Sequence, residues 1–72
     1  MSRYVVTGGS GRLGRSVVRV LAEAGHEIVS LDRSRVDGLP AQQIEVDLTD
    51  ERATRQIFER VRPEGVVHLA AI

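Results

Sequence analysis

The sequence predicts an α/β fold: the first half of a doubly wound parallel sheet, ordered strand–helix–strand–strand–helix–strand along the chain and 3-2-1-4 across the sheet. Three observations carry that expectation. Short apolar runs alternate with stretches of helical periodicity. The helical stretches are long enough to serve as the crossovers that parallel neighbours require. Right-handed crossovers then put the first helix on one face of the sheet and the second on the other.

Tyr4-Val5-Val6 reads as a buried strand ending near Thr7. From Arg12 to Ala24, Leu13, Val17, Val20, Leu21 and Ala24 recur at helical spacing, with Arg12, Arg15, Arg19 and Glu23 between them. Gly25 stands where a helix-ending glycine belongs. Glu27 to Leu31 is the second strand, closed by Asp32, and Arg33 to Gln43, with Gly38 and Pro40, reads as a loop. Ile44-Glu45-Val46 is a short third strand. Thr49 or Asp50 caps a second helix with Ala53, Ile57 and Val61 on one stripe and Phe58 beside it. Glu64-Gly65 leads into Val66-Val67-His68-Leu69, the fourth strand, which would be an open apolar edge.

Composition narrows the function. The chain of 72 residues is at most one small domain, of a size that buries about 60% of its unfolded surface. Ten basic and ten acidic residues cancel, so no basic field points to nucleic acid or an anionic membrane. No segment has membrane-spanning length, and the apolar run after Arg3 is too short for a signal peptide. The absence of cysteine removes disulfides and thiolate metal sites and fits a cytoplasmic setting. All ten basic residues are arginine.

The stretch TGGSGRLGRS (Thr7 to Ser16) joins the first strand to the first helix and has three readings. Gly9-x-Gly11-x-x-Gly14 is the general dinucleotide pattern. Gly9-x-x-x-x-Gly14-Arg15-Ser16 approaches a P-loop, but that chemistry needs a lysine on the β- and γ-phosphates, and Arg15 stands in its place. Thr7-Gly8-x-x-Gly11-x-x-Gly14 puts the first glycine directly after the strand. In the first and third readings glycines let backbone approach a pyrophosphate, held by N–H groups near Arg12 and Leu13 at the positive end of the helix. Asp32 follows Gly14 by eighteen residues, near the spacing of about 20 expected for a carboxylate that hydrogen-bonds the adenine ribose.

With these residues in place, VTGGSGRLGRSVVRVLAEAGHEIVSLDR resembles the N-terminus of an extended short-chain dehydrogenase/reductase of the NAD-dependent epimerase/dehydratase family. Asp47-Leu48-Thr49-Asp50 resembles the family's acidic turn after the third strand, and His68-Leu69-Ala70-Ala71 its "HLAA" ending of the fourth. The resemblance selects the third register and implies the N-terminal half of a Rossmann-type domain. It implies that Asp47 contacts the adenine amino group, Leu48 contacts the ring, and Leu69, Ala70 and Ala71 line the cofactor trough. It also implies that Gly8, Gly11, Arg12, Leu13 and Gly14 serve the pyrophosphate, and that His68 is structural. Arg15 and Arg19 read as a solvated face and Asp50 as a helix cap. Asp32 favours NAD, because a carboxylate repels a 2′-phosphate, while the adjacent Arg33 keeps NADP open.

The family's chemistry uses a Tyr-x-x-x-Lys pair. Tyr4 is the only tyrosine, Gly8 stands at the lysine position, and lysine is absent. The expectation is therefore a partial NAD(P)-binding domain over residues 1–72, from a longer enzyme acting on a nucleotide-linked sugar. These residues would not be catalytic alone, and the isolated chain would self-associate through its exposed sheet edge or be partly unfolded. The alternative is a non-catalytic NAD(P)-binding or redox-sensing module of the same fold.

Overall fold

A computed structural model describes residues 2–70. Its elements are β1 (Arg3–Thr7), α1 (Arg12–Glu23), β2 (Glu27–Asp32), β3 (Gln42–Glu45), α2 (Glu51–Val61) and β4 (Gly65–His68). The four strands form one parallel sheet in the order β3-β2-β1-β4, as the alternation predicts.

Alternation along the strands divides the core between the two faces. Val5, Val29 and Leu31 point to the side where Ile57 and Val61 of α2 rest. Val6 and Ile28 point to the other side, under Val18 of α1 and Leu39 of the β2–β3 loop. Both helices thus bury the central pair β1 and β2. β4 lies at an edge, and its Val66 remains 48% exposed.

Three local expectations are corrected. The third strand begins two residues early, at Gln42, and ends at Glu45. Gln42 and Gln43 look like loop residues, but they pair with Val29 and Ser30 of β2. The Gln43 amide also bonds the Val36 backbone on both sides, accepting its N–H at 2.9 Å and donating to its carbonyl at 2.7 Å. An edge strand tolerates such polar residues because one side of it faces water. β4 likewise runs from Gly65 to His68 and leaves Leu69 beyond its end.

The third correction concerns the buried stripe of α1. Gly14 and Val18 are its buried residues, whereas Leu13 and Val20 are 64% and 66% exposed. A Cβ on Gly14 would run into the Gly8 carbonyl oxygen, so the bare glycine lets the start of α1 sink onto the turn. That contact rotates the Gly14–Val18–Leu21 line toward the sheet and turns Leu13 and Val20 outward.

The helix ends differ. At α1, Gly25 (φ 90°) donates its N–H to Ala22, and His26 donates to Leu21, a paired closure of the last turn. At α2 the left-handed residue is Arg62 (φ 51°), followed by Pro63. The Arg3 guanidinium donates to the Val61 carbonyl at 2.7 Å and pairs with Glu27 at 2.9 Å, tying that helix end to the sheet.

Candidate functional site

All four strands end on one side of the molecule, where a cleft of about 410 Å³ opens. That is a ligand-sized volume, placed where open parallel sheets offer their strand ends. Gly8, Gly11, Asp32, Arg33, Asp47, Leu48 and Ala70 line it together with Thr49. Residues from four separate chain segments, singled out from the sequence, therefore share one cavity.

The glycines of the turn have different jobs. Gly8 has φ 75°, a left-handed value, and a Cβ there would lie 2.9 Å from the Ala70 backbone nitrogen. Gly9 is buried, and a Cβ on it would collide with the Ser30 hydroxyl. Gly14 abuts the Gly8 carbonyl, as described above. Gly11 alone is unconstrained by the protein: its φ is −73°, and a Cβ would meet nothing closer than the Gly8 oxygen at 3.4 Å. The open space over Gly11 belongs to the cleft.

Gly11 is also the N-cap of α1. No side chain caps this helix, and its first turn contains no acidic residue. The N–H groups at Arg12 and Leu13 are thus left to solvent or to a ligand anion. Arg12 and Leu13 are exposed and, like buried Gly14, lie outside the cleft lining. Leu69 packs against the α1-side core rather than into the cleft. Ala71 lies outside the described residues.

Asp32 is anchored at the end of β2. Its Oδ2 accepts the Ser10 N–H at 3.1 Å, and its Oδ1 accepts the N–H groups of Arg33 at 2.6 Å and Ser34 at 3.4 Å. The carboxylate therefore fastens the glycine-rich turn to the β2–β3 loop while facing the cleft. Ser10 strengthens the same tie, its hydroxyl donating to the Ser34 carbonyl at 2.6 Å. Sequence reasoning missed Ser10, and its position between Gly9 and Gly11 carried no separate signal.

Across the cleft, Asp47 Oδ1 accepts both the Thr49 N–H (2.9 Å) and the Thr49 hydroxyl (2.6 Å). It also pairs with Arg33 at 3.2 Å. The Thr49 hydroxyl, then its N–H, and then Arg33 hold the Asp47 carboxyl below the usual aspartate range. Asp50 caps α2, accepting the Ala53 N–H at 3.1 Å, which decides between the two expected caps. At the end of β4, His68 Nδ1 lies 2.6 Å from the Thr7 hydroxyl, which also accepts the Leu69 N–H at 3.0 Å. His68 is hydrogen-bonded as expected, but on an exposed edge rather than in a buried strand.

Among the described residues no group of three or more histidine, cysteine, aspartate and glutamate side chains is placed to hold a metal, and no helix is long and apolar enough to cross a membrane.

Comparison with known proteins agrees with this geometry. A Thermotoga maritima UDP-glucose 4-epimerase, solved with UDP-glucose, superposes with a TM-score of 0.87 at 38% identity, over 96% of this chain and 24% of that one. The Bordetella bronchiseptica enzyme WbmG, solved with NAD and UDP, gives 0.85 at 29% identity, over 99% and 25%. The UDP-glucose 4-epimerase of Dictyostelium discoideum is 34% identical over 97% of this chain and 24% of its own length. The chain spans about a quarter of the length of the curated relatives it matches. The model of the NAD dependent epimerase/dehydratase family matches residues 4–72, and the chain belongs to that family.

Proposed function

We propose that this chain is the adenosine-and-pyrophosphate half of an NAD-binding domain, in an enzyme that oxidises and reduces a nucleotide-linked sugar. The observation that carries the reading is the cleft itself. It joins a side-chain-free surface at Gly8 and Gly11 to an uncapped helix N-terminus and an anchored carboxylate at Asp32. The residues fit the group: Gly11 leaves space that the protein does not use, and the free N–H groups at the start of α1 suit a pyrophosphate. The Asp32 carboxylate suits two free ribose hydroxyls and disfavours a 2′-phosphate, so NAD is preferred over NADP.

Bound NAD supplies a hydride acceptor. The residues of this chain bind and orient it: backbone at Arg12 and Leu13 toward the pyrophosphate, Asp32 toward the ribose, Leu48 and Asp47 toward the adenine, and Ala70 as a small wall. The proton-transferring tyrosine and lysine belong to sequence beyond these residues. Relatives that hold UDP-glucose or UDP support a nucleotide-linked sugar as the substrate class. The half-exposed Val66 on the β4 edge supports edge-to-edge association when this segment stands alone.

Calorimetric titration with NAD and with ADP-ribose tests the reading. Comparable binding of both is expected, because every residue named above serves the ADP-ribose part. Failure of ADP-ribose to bind, or binding unaffected by Gly11→Val, would overturn it.

A further inference from the structure

Arg33 follows Asp32 directly, where an unpaired guanidinium would be available to an extra phosphate on the adenine ribose. It is not unpaired. Its backbone N–H is held by Asp32 at 2.6 Å, and its side chain crosses the cleft rim to Asp47 at 3.2 Å. The two ends of this pair are unequally fixed. Asp47 is held by two hydrogen bonds from Thr49, and its own carbonyl accepts the Asp50 N–H at 2.9 Å. Arg33 is 72% exposed along its side chain, so it is the partner able to move.

We propose that Asp47 sets the choice between NAD and NADP by holding Arg33 in an ion pair, away from a ribose 2′-phosphate. This rests on the dinucleotide reading above. A guanidinium already paired with a carboxylate has lost its net attraction for a dianion and part of its donor fork. An incoming 2′-phosphate would have to break that pair while facing Asp32. The discrimination is therefore built from two carboxylates on separate chain segments, Asp32 at the end of β2 repelling the phosphate and Asp47 after β3 withholding its natural counter-charge. Asp47 is ionised through the neutral range as any exposed aspartate is, and the hydrogen bonds from Thr49, which lower its pKa, extend the pair toward acid pH.

The test measures dissociation constants for NAD and NADP on the protein purified from its own gene, in the wild type, in Asp47→Asn, and in Asp47→Asn combined with Arg33→Ala. The wild type is expected to prefer NAD. Asp47→Asn should narrow that preference by about three- to tenfold, the range of one released charge-assisted contact at a partly exposed site. The double variant should lose the gain. Thr49→Val, which only loosens Asp47, should shift the ratio in the same direction and by less. An unmoved ratio in Asp47→Asn overturns the inference, and so does a gain that persists without Arg33, since the Asp47 charge would then act directly. Far-ultraviolet circular dichroism and the thermal midpoint of the same samples report that the variants fold, and the NADP-to-NAD ratio cancels any adenine contact that both dinucleotides share. A wild type that binds neither dinucleotide would overturn the proposed function itself, and is thereby distinguished from failure of this inference alone.

Discussion

The two helices begin in opposite ways. α2 satisfies its own N-terminus: Asp50 caps it, Glu51 sits in its first turn, and Asp47 closes the turn before it. α1 has no capping side chain and no acidic residue in its first turn, and its N-cap is Gly11. Both ends carry the same partial positive charge from aligned peptide dipoles. One is neutralised from within the chain, and the other opens onto a cleft. The contrast teaches that two helix starts of one fold can be satisfied differently: α2 is closed by its own side chains, whereas α1, on the function proposed above, is left for a ligand anion.

The largest effect that would break this comparison comes from Gly14→Ala. Its Cβ would meet the Gly8 carbonyl oxygen, both groups being backbone-fixed, so helix and turn must separate. Overpacking of this kind costs about 1–3 kcal/mol, and a lower thermal midpoint should accompany loss of dinucleotide binding. Gly11→Val sharpens the same point with a different signature. The free protein has room for a Cβ there, so the melting temperature should fall less than in Gly14→Ala, while affinity for NAD falls more than about tenfold, or 1.4 kcal/mol. A matched loss of stability and binding in both variants would mean that Gly11 is structural too.

Asp50→Ala addresses the other helix. Removing an aspartate cap costs about 1 kcal/mol, seen as a shifted denaturant midpoint with unchanged dinucleotide affinity. The smallest effect is expected from acid. The folded carboxyl of Asp47 titrates below its ordinary value, so the unfolded state holds more protons between the two values. The stabilisation is complete above the ordinary aspartate range and lost as pH falls through the depressed value. Acid unfolding of wild type and Asp47→Asn should therefore converge at low pH and differ slightly above it.

Element order and sheet topology were legible because strand runs and helical stretches alternate with little ambiguity. Edges and helix rotation were less so. Gln42 and Gln43 become strand through pairing with β2 and a clamp on Val36, neither of which leaves an apolar pattern. The α1 stripe misleads because counting apolar residues gives Gly14 no weight, whereas in the fold it is the contact point that turns Leu13 and Val20 outward. At the site, the glycine spacing and the carboxylate that closes the second strand pointed to Gly8, Gly11 and Asp32, whereas Asp47, Leu48 and Ala70 came from the family resemblance. The links between them were not legible. Ser10 bonding Asp32 and Arg33 pairing with Asp47 are tertiary contacts between loops, fixed only when the strand ends come together.

The most direct test of the central claim is to follow backbone amide resonances while NAD is added. The account predicts shifts at Ser10, Arg12, Leu13 and Gly14 and at the adenine-facing Asp47 and Leu48, with the amides of Arg52 and Ala53 inside α2 moving far less. Equal movement at both helix starts, or movement at the α2 end alone, would contradict it.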